Sequence, residues 1–224
     1  MSQSRFEDIE CPHCHAKGKF EVWDSINVDL NPKLREQLFN EELFMFHCPS
    51  CGQVIGIPFS TIYHDMTHAF MLFFDFYKPD DYKYDSMEMP DAEVLGIKKK
   101  YVFRIVFGLN LLKEKILILE HGLNDVAIER MKYMISHVTF PDLAEKGCTL
   151  YFAGENPESE KYKRGSLEFL YENEKGQEMS LEVPKEDYYE HCLACELDLR
   201  MDVGSCQCVD QDWMDEQMKK EEER

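Results

Sequence analysis

No uninterrupted apolar run in the sequence approaches the roughly 18–20 residues that a helix needs to cross a bilayer, so no membrane-spanning helix is expected. Basic residues are scarce: 25 Lys and Arg stand against 44 Asp and Glu, a formal charge of -19. A field of that sign repels polyanions, and direct nucleic-acid binding is not expected. A glycine-rich phosphate loop and a Gly-x-Ser-x-Gly elbow are both missing, which removes the familiar nucleotide-binding and esterase signatures. Tryptophan is rare at 2 residues, yet aromatics reach 12% and apolar types 44% of the 224 residues, too much for a wholly disordered chain. The opening residues Met1–Arg5 lead into acidic ones rather than a hydrophobic export signal. The expected compartment is therefore the cytoplasm, and the nine cysteines read as metal ligands or reduced thiols rather than a disulfide framework.

The acidity is unevenly spread. Residues 1–60 carry -4, residues 61–153 carry -3 and residues 154–224 carry -12. Apart from a doubled cysteine motif there is no internal repeat. The end from about residue 209, closing on Lys219-Lys220-Glu221-Glu222-Glu223-Arg224, is polar and points to a frayed helix or an unfolded tail.

Periodicity predicts an α+β protein. Phe20–Val28 alternates as a strand, and Asn31-Pro32 places a capping side chain before a first-turn proline, so a short helix is expected from Asn31 to about Asn40. Leu43–Phe46 and Val54–Ile57 read as short strands and Ala69–Tyr77 as a buried one. Leu109, Leu112, Ile116 and Leu119 keep the helical period, with Gly122 as a C-terminal stop. Asn124 then caps a helix whose apolar face is Ala127, Met131, Met134 and Val138, ended by Pro141. For Tyr101–Phe107 the pattern leaves strand and helix open. Ser166–Tyr171 and Met179–Val183 bracket a hairpin turn, and Pro184–Arg200 reads as a helix. Residues 78–100, with two prolines and many charges, read as a long surface connection.

Chemistry concentrates in Cys11-Pro12-His13-Cys14 and Cys48-Pro49-Ser50-Cys51-Gly52. Two residues between thiolates let both sulfurs face one centre while backbone N–H groups stabilise their charge. Proline tightens each turn, and glycine after the last cysteine permits a positive φ. The 33 residues between the pairs exceed the usual ribbon spacing, and the strand and helix expected there account for the surplus. Four ligands of one soft type favour a closed tetrahedral zinc ion, so Cys11, Cys14, Cys48 and Cys51 are expected to hold one structural zinc in zinc-ribbon-like hairpins. Cys-Pro-His-Cys is also the active-site tetrapeptide of oxidising thioredoxin-class enzymes. Those sites need a helix starting at the first cysteine, whereas Lys17–Val22 reads as a turn and strand.

These motifs, together with Tyr63-His64-Asp65-Met66-Thr67-His68-Ala69-Phe70-Met71, Arg104-Ile105-Val106, Leu112–Ile116 and Gly122–Lys132, resemble the bacterial and archaeal CpXC domain family, named for its two Cys-Pro-x-Cys motifs. The resemblance runs over about residues 5–140. It implies that the four cysteines are the family's motif residues, and it assigns no substrate, partner or reaction. The expected organisation is a CpXC domain over 5–140, with its ribbon-like part at 8–60, followed by an acidic α+β region over 141–224.

Other features have blander readings beside them. His64 and His68 have the four-residue spacing of a helical zinc-peptidase pair, but Asp65 is short for the water-holding glutamate, so a strand edge or turn with local hydrogen bonds is expected. Cys192, Cys195, Cys206 and Cys208, with His191 as a spare ligand, form a second thiol set that suits a second metal less well than ordinary packing. Cys148 reads as a small core residue. The basic runs are Lys98-Lys99-Lys100, which reads as a solvated edge, and Lys161–Arg164; Asp80-Asp81 and Glu186-Asp187 read as exposed loop or helix-start charge. No catalytic residue is nominated. The expected protein is a binding or adaptor module with an unidentified protein partner and no catalytic activity. Alternatives are an enzyme of thiol redox or metal-dependent hydrolysis, and a transcription-associated nucleic-acid binder.

Overall fold

The computed structural model describes residues 2–88, 101–198 and 205–223. It is an α+β protein in two compact units, one formed by the described residues up to Tyr82 together with 101–109, the other by Lys83–Glu88 and the described residues from Asn110 onward. No helix among the described residues is long and apolar enough to cross a membrane.

In the first unit, β1 (Gln3–Glu10) and β2 (Lys17–Asn27) form an antiparallel hairpin whose turn holds the first cysteine motif. Alternation along β2 buries Phe20, Val22 and Ile26 on one face. The helix α1 (Lys33–Phe39) begins one residue past Pro32 and buries Leu34 and Leu38; Asn31 makes no side-chain cap, and its carbonyl accepts from Leu34 N instead. The short strands β3 (Met45–His47) and β4 (Val54–Gly56) pair around the second cysteine motif. Next, β5 (Thr61–Asp65) lies parallel to β2 and antiparallel to β6 (Phe70–Asp75). The two-residue strand β7 (Met87–Glu88) belongs to the second unit, and β8 (Val102–Phe107) lies parallel to β6. Tyr101–Phe107 thus resolves as a strand: β-branched Val102, Ile105 and Val106 favour the pleat, and Gly108 at φ 84° breaks the chain direction after it. The strand order within this unit is β1-β2-β5-β6-β8, with Ile26, Tyr63, Phe70 and Leu72 fully buried.

The second unit opens with α2 (Leu109–Glu120), which buries Leu112, Ile116 and Leu119, and turns at Gly122, whose φ is 67°. The Asn124 side chain accepts from the backbone N–H of Val126 and Ala127 and starts α3 (Asp125–Met134). Ala127 and Met131 are buried as their spacing predicts, but Val138 is 61% exposed. The cause is a π-helical turn over Ile135–Thr139, whose wider winding rotates the last position off the apolar face. Pro141 then begins α4 (Pro141–Glu145). Three antiparallel strands follow, β9 (Tyr151–Asn156), β10 (Ser166–Glu172) and β11 (Glu178–Pro184), in the order β11-β10-β9. Cys148 is half-buried in the connection that precedes β9, not in the core. The helix α5 (Lys185–Asp198) packs on α3, where Arg130 Nη1 donates to His191 Nδ1 at 2.9 Å; burial and the guanidinium hold that ring down to about 4, so it stays a neutral acceptor.

The acidic end carries a short strand and a helix. After β12 (Ser205–Cys208), which pairs with β7, Asp210 caps α6 (Gln211–Glu222) by accepting from Trp213 N. Trp213 and Met214 are buried, and Met218 packs beside them. Three apolar side chains on one helical face suffice to anchor a segment whose overall polarity suggested fraying.

Between α2 and α3 lies a feature the apolar spacing did not announce. Glu114, Lys115, Asp125, Glu129 and Lys132 are all at most 3% exposed. Lys132 Nζ contacts Glu114 Oε1 and Glu129 Oε2, each at 3.0 Å, while Lys115 Nζ meets Asp125 Oδ2 at 3.2 Å and donates to the carbonyl of Val209 at 2.8 Å. Glu114 also accepts from Phe152 N at 2.6 Å, which ties the cluster to β9.

Candidate metal centre

Each cysteine motif folds as a tight knuckle with the same hydrogen bonds. In the first, Cys11 N donates to the Ala16 carbonyl and His15 N to the Cys11 carbonyl, both at 2.9 Å; in the second, Cys48 N donates to the Gln53 carbonyl at 2.9 Å and Gly52 N to the Cys48 carbonyl at 3.0 Å. The residue after the second cysteine must be left-handed to close this pattern, and Gly52 sits at φ 71°. His15 occupies the equivalent place at φ 59°, where a side chain is strained. We expect His15→Gly to raise the thermal midpoint, by about 0.5–1 kcal/mol in stability, and His15→Val to lower it. An unchanged midpoint for both would show that the His15 conformation stores no strain.

The two knuckles bring their sulfurs to one point. All four Sγ atoms of Cys11, Cys14, Cys48 and Cys51 lie within 4.8 Å of one another, with Cys11–Cys51 at 3.7 Å and Cys14–Cys48 at 3.6 Å. Sulfurs placed about 2.3 Å from a central ion at tetrahedral corners are about 3.8 Å apart. The donor set therefore fits a metal ion. Cys11 and Cys48 are buried, Cys14 is half-buried and Cys51 is exposed, so the centre lies at the surface on the hairpin turns.

Electrostatics asks for a cation here. The backbone amides of Cys51 and Ser50 point at the Cys48 sulfur and hold its thiol down to about 6. Cys51, in spite of the Gln53 amide, is pushed up to about 12 by the Cys14 sulfur, by burial, and by the Cys48 and Cys11 sulfurs. Once one thiolate has formed, the next costs more, and a divalent ion removes that conflict while releasing protons.

A small apolar base supports the knuckles: Phe20, Val22 and Phe46 bury against Cys11 and Cys48, with Ile9, Ile55 and Phe59 around them. Gly18 admits the Phe46 ring, since a Cβ there would stand 2.7 Å from its Cζ and 3.2 Å from Pro49 Cδ. Behind the first knuckle the chain continues as β2, a strand, where a thioredoxin-type site begins a helix.

The remaining sequence candidates do not assemble. His64 lies on β5 with Tyr101 Oη at 3.0 Å and Asn27 Nδ2 at 3.4 Å, and burial holds its ring below the usual range. His68, in the turn that follows, bonds through N and Nδ1 to the Asp65 carboxylate at 2.8 Å. The pair is thus a strand and turn with local partners, with no shared metal position. Among the described residues, the four knuckle cysteines are the one group of side chains that converges as metal ligands, so Cys192, Cys195, Cys206 and Cys208 do not form a second ligand set. No disulfide joins any of the nine cysteines; Cys208 Sγ approaches Asp210 Oδ2 at 3.3 Å. Arg164 pairs with Glu186 at 3.1 Å, and Lys161 lies over the Tyr162 ring. Lys98-Lys99-Lys100 lies outside the described residues.

Compared with known proteins, the chain matches the family of CpXC proteins over residues 9–132, from just before the first knuckle into α3. Neither the curated proteins nor the solved structures contain a match.

Proposed function

The chain belongs to the CpXC protein family, and from that premise we propose that its two knuckles fold around one structural zinc ion held by Cys11, Cys14, Cys48 and Cys51, in a cytosolic binding or adaptor module without catalytic activity. One observation carries the reading: four thiol sulfurs lie within 4.8 Å of one another, enough donors to fill all four corners of a tetrahedron around one ion. Such a site is closed. It leaves no coordination position for a substrate or a reactive water, and its chemistry is to hold the chain in shape. Zinc is favoured among soft-ligand metals because an all-thiolate tetrahedron suits a d¹⁰ ion without redox chemistry. An odd count of nine cysteines, four of them converging as candidate metal ligands, fits a reducing compartment better than a disulfide framework. The domain organisation we propose is a family domain over residues 5–140 followed by an acidic region over 141–224.

Protein purified without chelator should carry about one zinc per chain and no second equivalent. Less than half an equivalent of zinc or iron, with all cysteines reduced, would reject the site. The closed character is checked with cobalt in place of zinc: a four-thiolate spectrum should not change when cyanide or azide is added. A shift on adding either anion would reveal an open position and restore metal-dependent catalysis as the better reading.

A further inference from the structure

Among the described residues β1 has one strand neighbour, β2, and its outer edge is open. All of its residues except Ile9 are exposed, and Phe6 is 65% so. Alternate N–H and C=O groups along that edge point away from β2 and can pair with another strand. The charges that line it restrict which strand fits.

We infer that β1 pairs antiparallel with β1 of a second copy of this chain, on a two-fold axis passing through Phe6. The axis must stand normal to the sheet, and it keeps each side chain on its own face, so opposite residues must be an even number apart. Every register centred on a residue satisfies this, and the charges narrow the choice. Centring on Arg5, Glu7 or Asp8 puts that charged residue opposite its own copy. Centring on Ser4 places Gln3 opposite Arg5 and makes no charge pair. Centring on Phe6 sets the two rings opposite each other, Arg5 opposite Glu7 of the partner on both sides of the axis, and Ser4 opposite Asp8. Arg5 and Glu7 share one face, opposite Val22 and Phe20 in β2, and Phe6 lies on the other, opposite Glu21.

Within one chain Arg5 Nη2 already contacts Glu7 Oε1 at 3.0 Å, and Nη1 contacts Asp24 Oδ1. These side chains are about half exposed, and a guanidinium with five donors can serve a second carboxylate. The same charges that permit the Phe6 register disfavour its neighbours. A single strand pair is a small interface, so the dimer forms reversibly at micromolar or higher concentration.

Sedimentation velocity on the full chain over a concentration series tests this. The parent should shift from monomer to dimer, and added salt should weaken the shift because the pairs are exposed. Arg5→Glu and Glu7→Arg each place like charges opposite and should weaken association about tenfold or more, whereas the double swap R5E/E7R should return to within about threefold of the parent. Phe6→Asp, which opposes two carboxylates on the axis, should abolish the dimer; Asp24→Asn, which touches only the intrachain contact, should leave it. Unchanged thermal midpoints establish that each variant is folded. A parent that stays monomeric into the millimolar range overturns the inference. So does a dimer indifferent to Arg5→Glu, or a double swap that remains as weak as the single variants.

Discussion

Replacing Cys48 by serine should abolish stoichiometric metal binding and unfold the knuckle region, the largest effect expected of any single substitution here. Cys48 is 3% exposed, its sulfur lies 3.6 Å from that of Cys14, and its backbone closes the second knuckle through Gln53 and Gly52. Among the described residues the apolar base beneath the centre has five buried members, two of them the candidate ligands Cys11 and Cys48. So small a cluster cannot offset the ordering of two turns without the ion, because structural zinc contributes on the order of 10 kcal/mol of apparent binding energy that is also folding energy. Metal per chain should fall well below one equivalent. Folded-state signals from the knuckle region should disappear or be lost tens of degrees earlier, while those from the core around Ile118, Phe152, Phe169 and Trp213 should not move with metal content. Chelator added to the parent should reproduce the variant. Cys148→Ser is the control: that thiol is half-buried outside the set, so metal content should not change and stability should fall by less than about 1 kcal/mol. A Cys48→Ser protein that keeps a full equivalent, or a parent whose melting ignores chelator, defeats the metal-centre reading.

In the second unit, Lys132→Met should cost about 3–5 kcal/mol, because it leaves Glu114 and Glu129 buried without the ammonium they share. The cluster holds three carboxylates against two lysines, so its formal charge is -1 when all are ionised. Burial raises the Glu129 carboxyl above the usual carboxylate range, with Lys132 and Lys115 pulling the other way. Neither Glu129 oxygen makes a well-formed hydrogen bond. Glu129→Gln makes the count two against two and should be neutral or stabilising. The sign of the pH dependence follows. A carboxyl whose pKa is higher folded than unfolded lends stability below the unfolded value and loses it as pH rises through the folded one, so the parent should lose stability from about pH 4 upward relative to Glu129→Gln. Lys132 shows the complementary case. Burial lowers its pKa, but the Glu114 and Glu129 carboxylates outweigh that and raise it, so its contribution stays intact until strongly alkaline pH. Chemical denaturation of the two variants at several pH values checks both. A Glu129→Gln protein that loses more than about 3 kcal/mol at neutral pH would mean that Glu129 is ionised and needed as a partner by both lysines.

Much of the local structure was legible because it depends on short-range chemistry. The spacing of Leu112, Ile116 and Leu119, the Asn124 cap and the hairpin around Gly176 need only neighbours within a few residues. The π-turn at Ile135 was not legible, since no local signal separates its winding from a regular helix until the exposure of Val138 reveals it. Neither was the anchoring of α6, which depends on where Trp213 and Met214 find a core.

The candidate centre divides in the same way. Two Cys-Pro-x-Cys motifs, with the thiol chemistry and turn geometry they impose, pointed to the four candidate ligands and their soft-metal character from the sequence alone. Their spacing cannot say that sulfurs 34 and 40 residues apart meet at 3.6 and 3.7 Å, because that distance depends on β2, α1 and β3 returning the chain to its start. The burial of Glu114, Glu129 and Lys132 likewise belongs to tertiary structure: a charged residue on a helix reads as solvent-facing unless an oppositely charged partner awaits it on another element. Sequence determines what each segment can do with its own atoms; tertiary structure decided which distant atoms share a dielectric, a hydrogen bond or a candidate metal position.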